Sequence, residues 1–247
     1  ADTVVIACGD DYPDALTGAP FAYQLNAPIL LTKKDFLRAD VISEIQRLKA
    51  RNIVLLGGGN VISQKVVNNL ENLGLAVERI GGKDRYETAA LIAAKMNTEN
   101  TDKAVVVSGE YFSDALSISS YAARNRYPIL LTTKDRLPAY TEQAIEMLGI
   151  TKVILVGGEE RISKGIEAGL PVETRLSGSD RYESSLKVAT YFKADVPEAA
   201  IATGENFADA ITGAVLAAKK GSTMLLVKGN AARQLSTSVY LRKYFQD

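Results

Sequence analysis

Val5-Ile6-Ala7-Cys8-Gly9-Asp10-Asp11-Tyr12-Pro13-Asp14-Ala15-Leu16-Thr17 is an apolar run, a glycine-and-acid loop and the start of a second apolar segment. It returns as Val106-Val107-Ser108-Gly109-Glu110-Tyr111-Phe112-Ser113-Asp114-Ala115-Leu116-Ser117, and again as Ile201-Ala202-Thr203-Gly204-Glu205-Asn206-Phe207-Ala208-Asp209-Ala210-Ile211-Thr212. The aspartates Asp14, Asp114 and Asp209 stand 100 and 95 positions apart. A period of that size is a small domain, not a solenoid turn of about 20–50 residues. Three related units on one chain point to polyvalent attachment to something that itself repeats. A single active site needs no third copy.

Outward from this stretch, short apolar runs alternate with amphipathic segments. Strands are expected at Val4–Ala7, Pro28–Leu31, Ile53–Leu56 and Ala76–Ile80. Helices are expected at Asp14–Leu25, Ala39–Lys49, Ser63–Leu73 and Asp84–Met96. The order recurs from Ala104 to about Phe192, and in part from Ala200 to a last helix ending near Tyr244. Continuous apolar strands alternating with helices mean a parallel sheet covered on both faces, with right-handed crossovers. The expected fold is α/β, a tandem of small Rossmann-like (flavodoxin-like) modules spanning 1–78, 79–174 and 175–247. The helix opening Asp84-Arg85-Tyr86-Glu87 and Asp180-Arg181-Tyr182-Glu183 has no counterpart ahead of Ala1, and the third copy lacks a match to Ile53–Leu73. A trimmed fragment is the expectation; a complete protein with degenerate ends is the alternative.

The chain has 247 residues, 47% hydrophobic, with 29 basic against 29 acidic side chains. Zero net charge argues against a general nucleic-acid binder. Histidine is absent and Cys8 is the lone cysteine. That removes the commonest general base and transition-metal ligand, and any intrachain disulfide. Cys8 ends an apolar run and reads as a buried, inert thiol. No apolar run reaches the roughly 18 residues of a membrane span, and no signal peptide is visible. No metal, cofactor or membrane insertion is expected.

Four loop types repeat, each past the carboxyl end of a strand, where open parallel sheets place their ligands. In the first, Asp14, Asp114 and Asp209 either cap the helix that follows or hydrogen-bond a ligand. In the second, Ile29-Leu30-Leu31 and Ile129-Leu130-Leu131 read most simply as a buried central strand. Lys34, Lys134 and Lys228 follow it, either solvated or meeting an anionic polymer. The third, Leu56-Gly57-Gly58-Gly59-Asn60-Val61-Ile62-Ser63, is matched by Val156-Gly157-Gly158-Glu159-Glu160-Arg161-Ile162-Ser163. It lacks the third glycine of a dinucleotide fingerprint. A tight turn with Ser63 and Ser163 as caps is preferred over phosphate binding. In the fourth, Asp84 with Glu87 and Asp180 with Glu183 have capping-box spacing. Arg85 and Arg181 sit badly for the helix dipole, so each answers to another partner: a salt bridge between modules, or a phosphate or carboxylate on a ligand.

At these residues the chain resembles the cell wall binding repeat 2 family of clostridia and bacilli. The family's R-x-x-G-x-D-R-Y-E-T pattern is at Arg79–Thr88, its G-E-x-F-x-D-A-L at Gly109–Leu116 and Gly204–Ile211, and its P-I-L-L-T at Pro28–Thr32 and Pro128–Thr132. The resemblance covers essentially the whole chain. It implies three Rossmann-like modules in a pseudo-threefold arrangement, and noncovalent attachment of surface-layer proteins and wall hydrolases to an anionic, teichoic-acid-like wall polysaccharide. In such proteins the Ile-Leu-Leu segment is held to matter for anchoring. The third copy departs, reading Met224-Leu225-Leu226-Val227 without the proline.

The resulting expectation is a non-catalytic, extracellular wall anchor. Lys34, Lys134, Arg85 and Arg181 would meet anionic groups, and aromatic edges such as Tyr12, Tyr111 and Phe207 would pack on sugar rings. The rivals are a nucleotide- or sugar-binding α/β enzyme domain and a purely structural surface-array scaffold.

Overall fold

The computed structural model describes residues 1–10, 13–98, 101–193 and 198–229. Its strands form three parallel sheets. The first joins β1 (Thr3–Cys8), β2 (Ile29–Thr32), β3 (Asn52–Leu56) and β4 (Ala76–Ile80) in the order β2-β1-β3-β4. The second repeats that order with β5 (Lys103–Ser108), β6 (Ile129–Thr132), β7 (Lys152–Val156) and β8 (Val172–Leu176), as β6-β5-β7-β8. The third pairs β9 (Ala199–Thr203) with β10 (Thr223–Val227). The repeat holds at the level of register: Val5 faces Ile29 as Val105 faces Ile129.

The first strands of the two four-stranded sheets, β1 and β5, are apolar on both faces because each separates two cores. Val5 and Ala7 point into one cluster, Val4, Ile6 and Cys8 into another. In the second repeat, Val105 and Val107 join the same inner cluster as Val5, while Ala104 and Val106 enter an outer cluster of their own. Alternation along a strand thus sends every second residue to a core shared by all three repeats. That shared core is built on α2 (Gly18–Gln24), α6 (Phe112–Asn125) and α10 (Ala208–Lys219), each of which packs on the other two. Three equivalent helices in mutual contact give the pseudo-threefold arrangement. Helix α6 is buried from Ser113 to Ala123, so it carries no polar face. Two of its serines bond back to their own helix: Ser117 Oγ donates to Asp114 O at 2.7 Å and Ser119 Oγ to Ala115 O at 2.5 Å.

Two expectations about the elements need correction. The helix expected over Asp14–Leu25 is broken into α1 (Pro13–Leu16) and α2, with Thr17 between them. Pro20 has no N–H to give the Leu16 carbonyl four residues back, and its ring crowds that oxygen. Ser120 takes the corresponding place in α6, which runs unbroken. The Ile-Leu-Leu strands are edge strands, not central ones. They are nevertheless covered. Helix α5 (Arg85–Lys95) packs on β6 and on α7 (Ala139–Met147), and α9 (Arg181–Phe192) packs on β10. On β2 the covering element is α10, which brings the third repeat back to the first. The helix expected to end near Tyr244 lies outside the described residues.

Candidate functional site

The repeated aspartates do not cap helices. Asp114 lies inside α6, whose N-cap is Tyr111 and whose cap makes no side-chain hydrogen bond. Asp209 likewise lies inside α10, behind Phe207. Asp14 is within α1 and only 6% exposed. Each of the first two carboxylates abuts the glycine turn that follows the third strand of its sheet. A Cβ on Gly57 would lie 2.7 Å from Asp14 Oδ2, and one on Gly157 would lie 2.9 Å from Asp114 Oδ2. Both glycines also have positive φ, +118° and +128°. The first glycine of each Gly-Gly turn is therefore glycine because a carboxylate presses against it. Ser63 and Ser163 hold the N-cap positions of the helices that follow, without capping them through their side chains.

A further pair of arginines braces this turn. Arg79 Nη1 donates to Gly57 O at 2.8 Å and Arg175 Nη1 to Gly157 O at 2.7 Å. In the sequence Arg79 stands only as the first residue of a motif; its recurrence as Arg175, one residue before the end of β4 and β8, is the signal that marks the brace.

The capping boxes form as expected. Asp84 accepts from Tyr86 N and Glu87 N, both at 2.9 Å, and Asp180 does the same for Tyr182 and Glu183. The reaching glutamates land one residue early, on Lys83 N and Ser179 N. The arginines between them turn toward backbone. Arg85 Nη1 donates to Gly109 O at 2.6 Å and Arg181 Nη1 to Gly204 O at 2.5 Å. The adjoining tyrosines close on the same glycines: a Cβ on Gly109 would be 2.8 Å from Tyr86, and one on Gly204 would be 2.6 Å from Tyr182. Arg181 also lies over Phe112 of the preceding repeat, 5.3 Å from the ring centroid. Arg181 thus gives an N–H to a carbonyl and its face to an aromatic ring, while its charge still acts on Asp114 of the preceding module. Phe112 in turn meets Phe207 edge-on at 6.2 Å.

The structure sorts the predicted residues into crevices at the sheet edges. Asp14 and Arg85 line one cavity of about 270 Å³, together with Asn60, Val61, Lys83 and Asp84. Asp114 and Arg181 share the equivalent place in the second repeat, where their charges interact. There Arg161 enters the crevice. Its Nη1 reaches Asp114 Oδ2 and Ser113 Oγ, both at 2.7 Å, and its guanidinium lies 4.9 Å over Tyr111. Burial pushes the Asp114 carboxyl above its usual range, although Arg161 and Arg181 pull it back. Asp209 lines a third, more open groove of about 510 Å³ with Ile29, Leu30, Leu31 and Lys33.

The lysines and the Ile-Leu-Leu segments are placed apart. Lys34, Lys134 and Lys228 are exposed just beyond β2, β6 and β10, with Lys134 Nζ 3.9 Å from Glu160. The cavity walls carry Lys33 and Lys83 instead. Ile129, Leu130 and Leu131 are fully buried, while Leu30 and Leu31 are partly exposed on the third groove. Tyr111 is exposed beneath Arg161; Tyr12 lies outside the described residues. Cys8 is buried, and its sulfur accepts a hydrogen bond from Asp10 N at 3.4 Å. Among the described residues no acid, cysteine or histidine cluster could hold a metal ion, and no helix is long and apolar enough to cross a membrane.

Comparisons with known proteins agree with this repeat. The chain is 37% identical over 229 residues to the N-acetylmuramoyl-L-alanine amidase LytC of Bacillus subtilis, covering 93% of this chain and 46% of that protein. It is 37% identical over 241 residues to the amidase enhancer of the same species, covering 96% of this chain and 33% of that protein. The chain thus spans less than half the length of these two relatives. Among solved structures, Cwp6 of Clostridium difficile superimposes with a TM-score of 0.84 at 30% identity, over 92% of this chain and 38% of Cwp6. Cwp8 of the same organism gives 0.83 at 32% identity, over 94% of this chain and 42% of Cwp8. A family profile matches residues 1–67, 79–167 and 175–244, one segment for each repeat. The chain belongs to the cell wall binding domain 2 (CWB2) family.

Proposed function

We propose that this chain attaches proteins noncovalently to the Gram-positive cell wall by polyvalent binding of an anionic wall polymer, and catalyses nothing itself. The observation that carries this reading is the repeated edge. An aspartate, a glycine turn and the Asp-Arg-Tyr-Glu helix start meet beyond the strand ends in both four-stranded repeats. A polymer that itself repeats can engage several weak edges, and tethering multiplies their effect. The relatives support it as well: one is named an amidase and another an amidase enhancer, so what they share with this chain is not one reaction. A common attachment role accounts for both.

Exposed cations supply the attraction, Lys34, Lys134 and Lys228 beside the edges, with the half-buried Arg85 inside the first crevice and Arg181 adding its charge from behind Arg161 in the second. The buried Ile129-Leu130-Leu131 segment acts through packing, since its side chains have no surface to offer. We further place the module boundaries just past β4 and β8, close to the 78/79 and 174/175 read from the sequence, supported by α5 and α9 packing on the sheets that follow them. The wall would be the site of action, outside the cell.

The test is retention on purified Gram-positive walls before and after acid extraction of their secondary polymers. Retention that disappears on extraction supports polymer binding. Retention that survives extraction, or is absent on intact walls, refutes it.

A further inference from the structure

In a parallel sheet the crevice beyond the strand ends opens where the strand order reverses. In the first sheet that point lies between β1 and β3, and in the second between β5 and β7. The walls of the two crevices correspond: Asp14 with Asp114, the turn at Gly57 with that at Gly157, Arg85 with Arg181. One position differs between them. The turn ends in Val61 in the first repeat and Arg161 in the second.

Arg161 fills its crevice. It pairs with Asp114, donates to Ser113 and lies on Tyr111, and the Asp114 side chain is left 1% exposed. Val61 is too short to do any of this. Its crevice keeps a cavity of about 270 Å³. That is just under the range of about 300–1,000 Å³ for pockets taking drug-sized ligands, a size suited to one sugar residue with its charged substituent. The wall chemistry suits the same ligand. Lys83 and Arg85 bring cationic donors, the Asn60 amide both donates and accepts, and Asp14 brings a carboxylate at the floor. Asp84, the other acid in the wall, has one oxygen committed to the cap of α5.

We infer that the two crevices have diverged. The first is a subsite for one phosphate- or carboxylate-bearing sugar residue of the wall polymer, and the second is closed by its own arginine. This rests on the wall-binding reading above and assigns the work among repeats that the sequence presents as equals.

Val61→Arg copies the second crevice into the first, and Lys83→Ala removes an exposed cation from its rim without touching the core. Each is measured against the unaltered chain for retention on Gram-positive sacculi that keep their secondary polymers, with thermal melting as the folding control. The expectation is retention by the unaltered chain, and at least tenfold weaker retention for folded Val61→Arg. Lys83→Ala should weaken binding several-fold at low salt, with a shallower salt dependence. Unchanged retention of folded Val61→Arg would overturn the subsite while leaving wall binding in place. If Val61→Arg does not fold, unchanged retention and salt dependence in Lys83→Ala overturn it. Failure of the unaltered chain to be retained would overturn the wall-binding reading, and the subsite with it.

Discussion

Asp114 and Arg161 form an ion pair at 2.7 Å in which the carboxylate side chain is 1% exposed and the arginine 23% exposed. The pair ties the helix after β5 to the turn after β7, across the point where strand order reverses. Removing the arginine leaves a buried carboxylate without its charged partner. Breaking a buried pair from one side costs about 3–5 kcal/mol, and the partly exposed arginine puts Arg161→Ala at the low end of that range. Urea unfolding checks it. A loss below about 1 kcal/mol would mean that water replaces the guanidinium without penalty.

The same aspartate gives a pH dependence with a definite sign. Burial raises its carboxyl above the ordinary value of 3.8, so the folded state holds this proton more tightly than the unfolded chain. Ionisation therefore costs the folded state more. The Asp114 contribution to stability falls as pH rises from the unfolded value through the raised folded one, and is level above it. Asp114→Asn removes this slope while keeping the shape. Comparing unfolding free energies of the two proteins from pH 3 to 8 isolates it. A difference that does not change across that window would show that Arg161 and Arg181 fully offset the burial.

Glycine at 57 and 157 is required twice over, by positive φ and by a carboxylate where the Cβ would go. Left-handed backbone alone costs a non-glycine residue about 1–2 kcal/mol, and displacing a buried carboxylate adds to it. Gly157→Ala is expected to lose more than Gly149→Ala, which has positive φ of +62° but nothing within 4 Å of the new methyl. Equal losses in thermal melting would mean that the Asp114 contact carries no cost.

Much of this architecture could be read from the residues, and the exceptions have physical reasons. The alternation of Val4 to Cys8 and its echo at Ala104 to Ser108 set the parallel sheets, because few other folds bury a strand on both faces. Asp84 and Asp180 disclosed their caps through local spacing alone. Asp14 and Asp114 did not disclose their contact with the glycine turn. An aspartate near a helix start looks the same whether it caps the backbone or faces a turn forty residues on. The break at Thr17 was written in Pro20, one turn downstream, but was masked by an otherwise continuous apolar pattern. The edge position of β2 and β6 depends on strand order, which apolar runs do not encode. The contrast between Val61 and Arg161 is visible in the sequence, yet it acquires meaning only when both are seen against the aspartates they approach.

The Ile-Leu-Leu strands provide the last comparison. Leu130 and Leu131 are fully buried beneath α5, whereas Leu30 and Leu31 keep part of their surface on the groove with Asp209. If the motif works by packing, its weight should follow burial and not sequence. Truncating a buried leucine costs about 2–5 kcal/mol, and less where the side chain was already wet. Leu131→Ala is therefore expected to destabilise the chain by about 2–5 kcal/mol, and Leu31→Ala by clearly less. Wall retention, measured on folded protein below each melting point, should be lost with stability in the first case. In the second, a loss of retention with stability intact would give Leu31 a direct part in binding, because a packing role cannot separate the two. Retention that tracks stability in both variants would confine the motif to holding the edge strand in place.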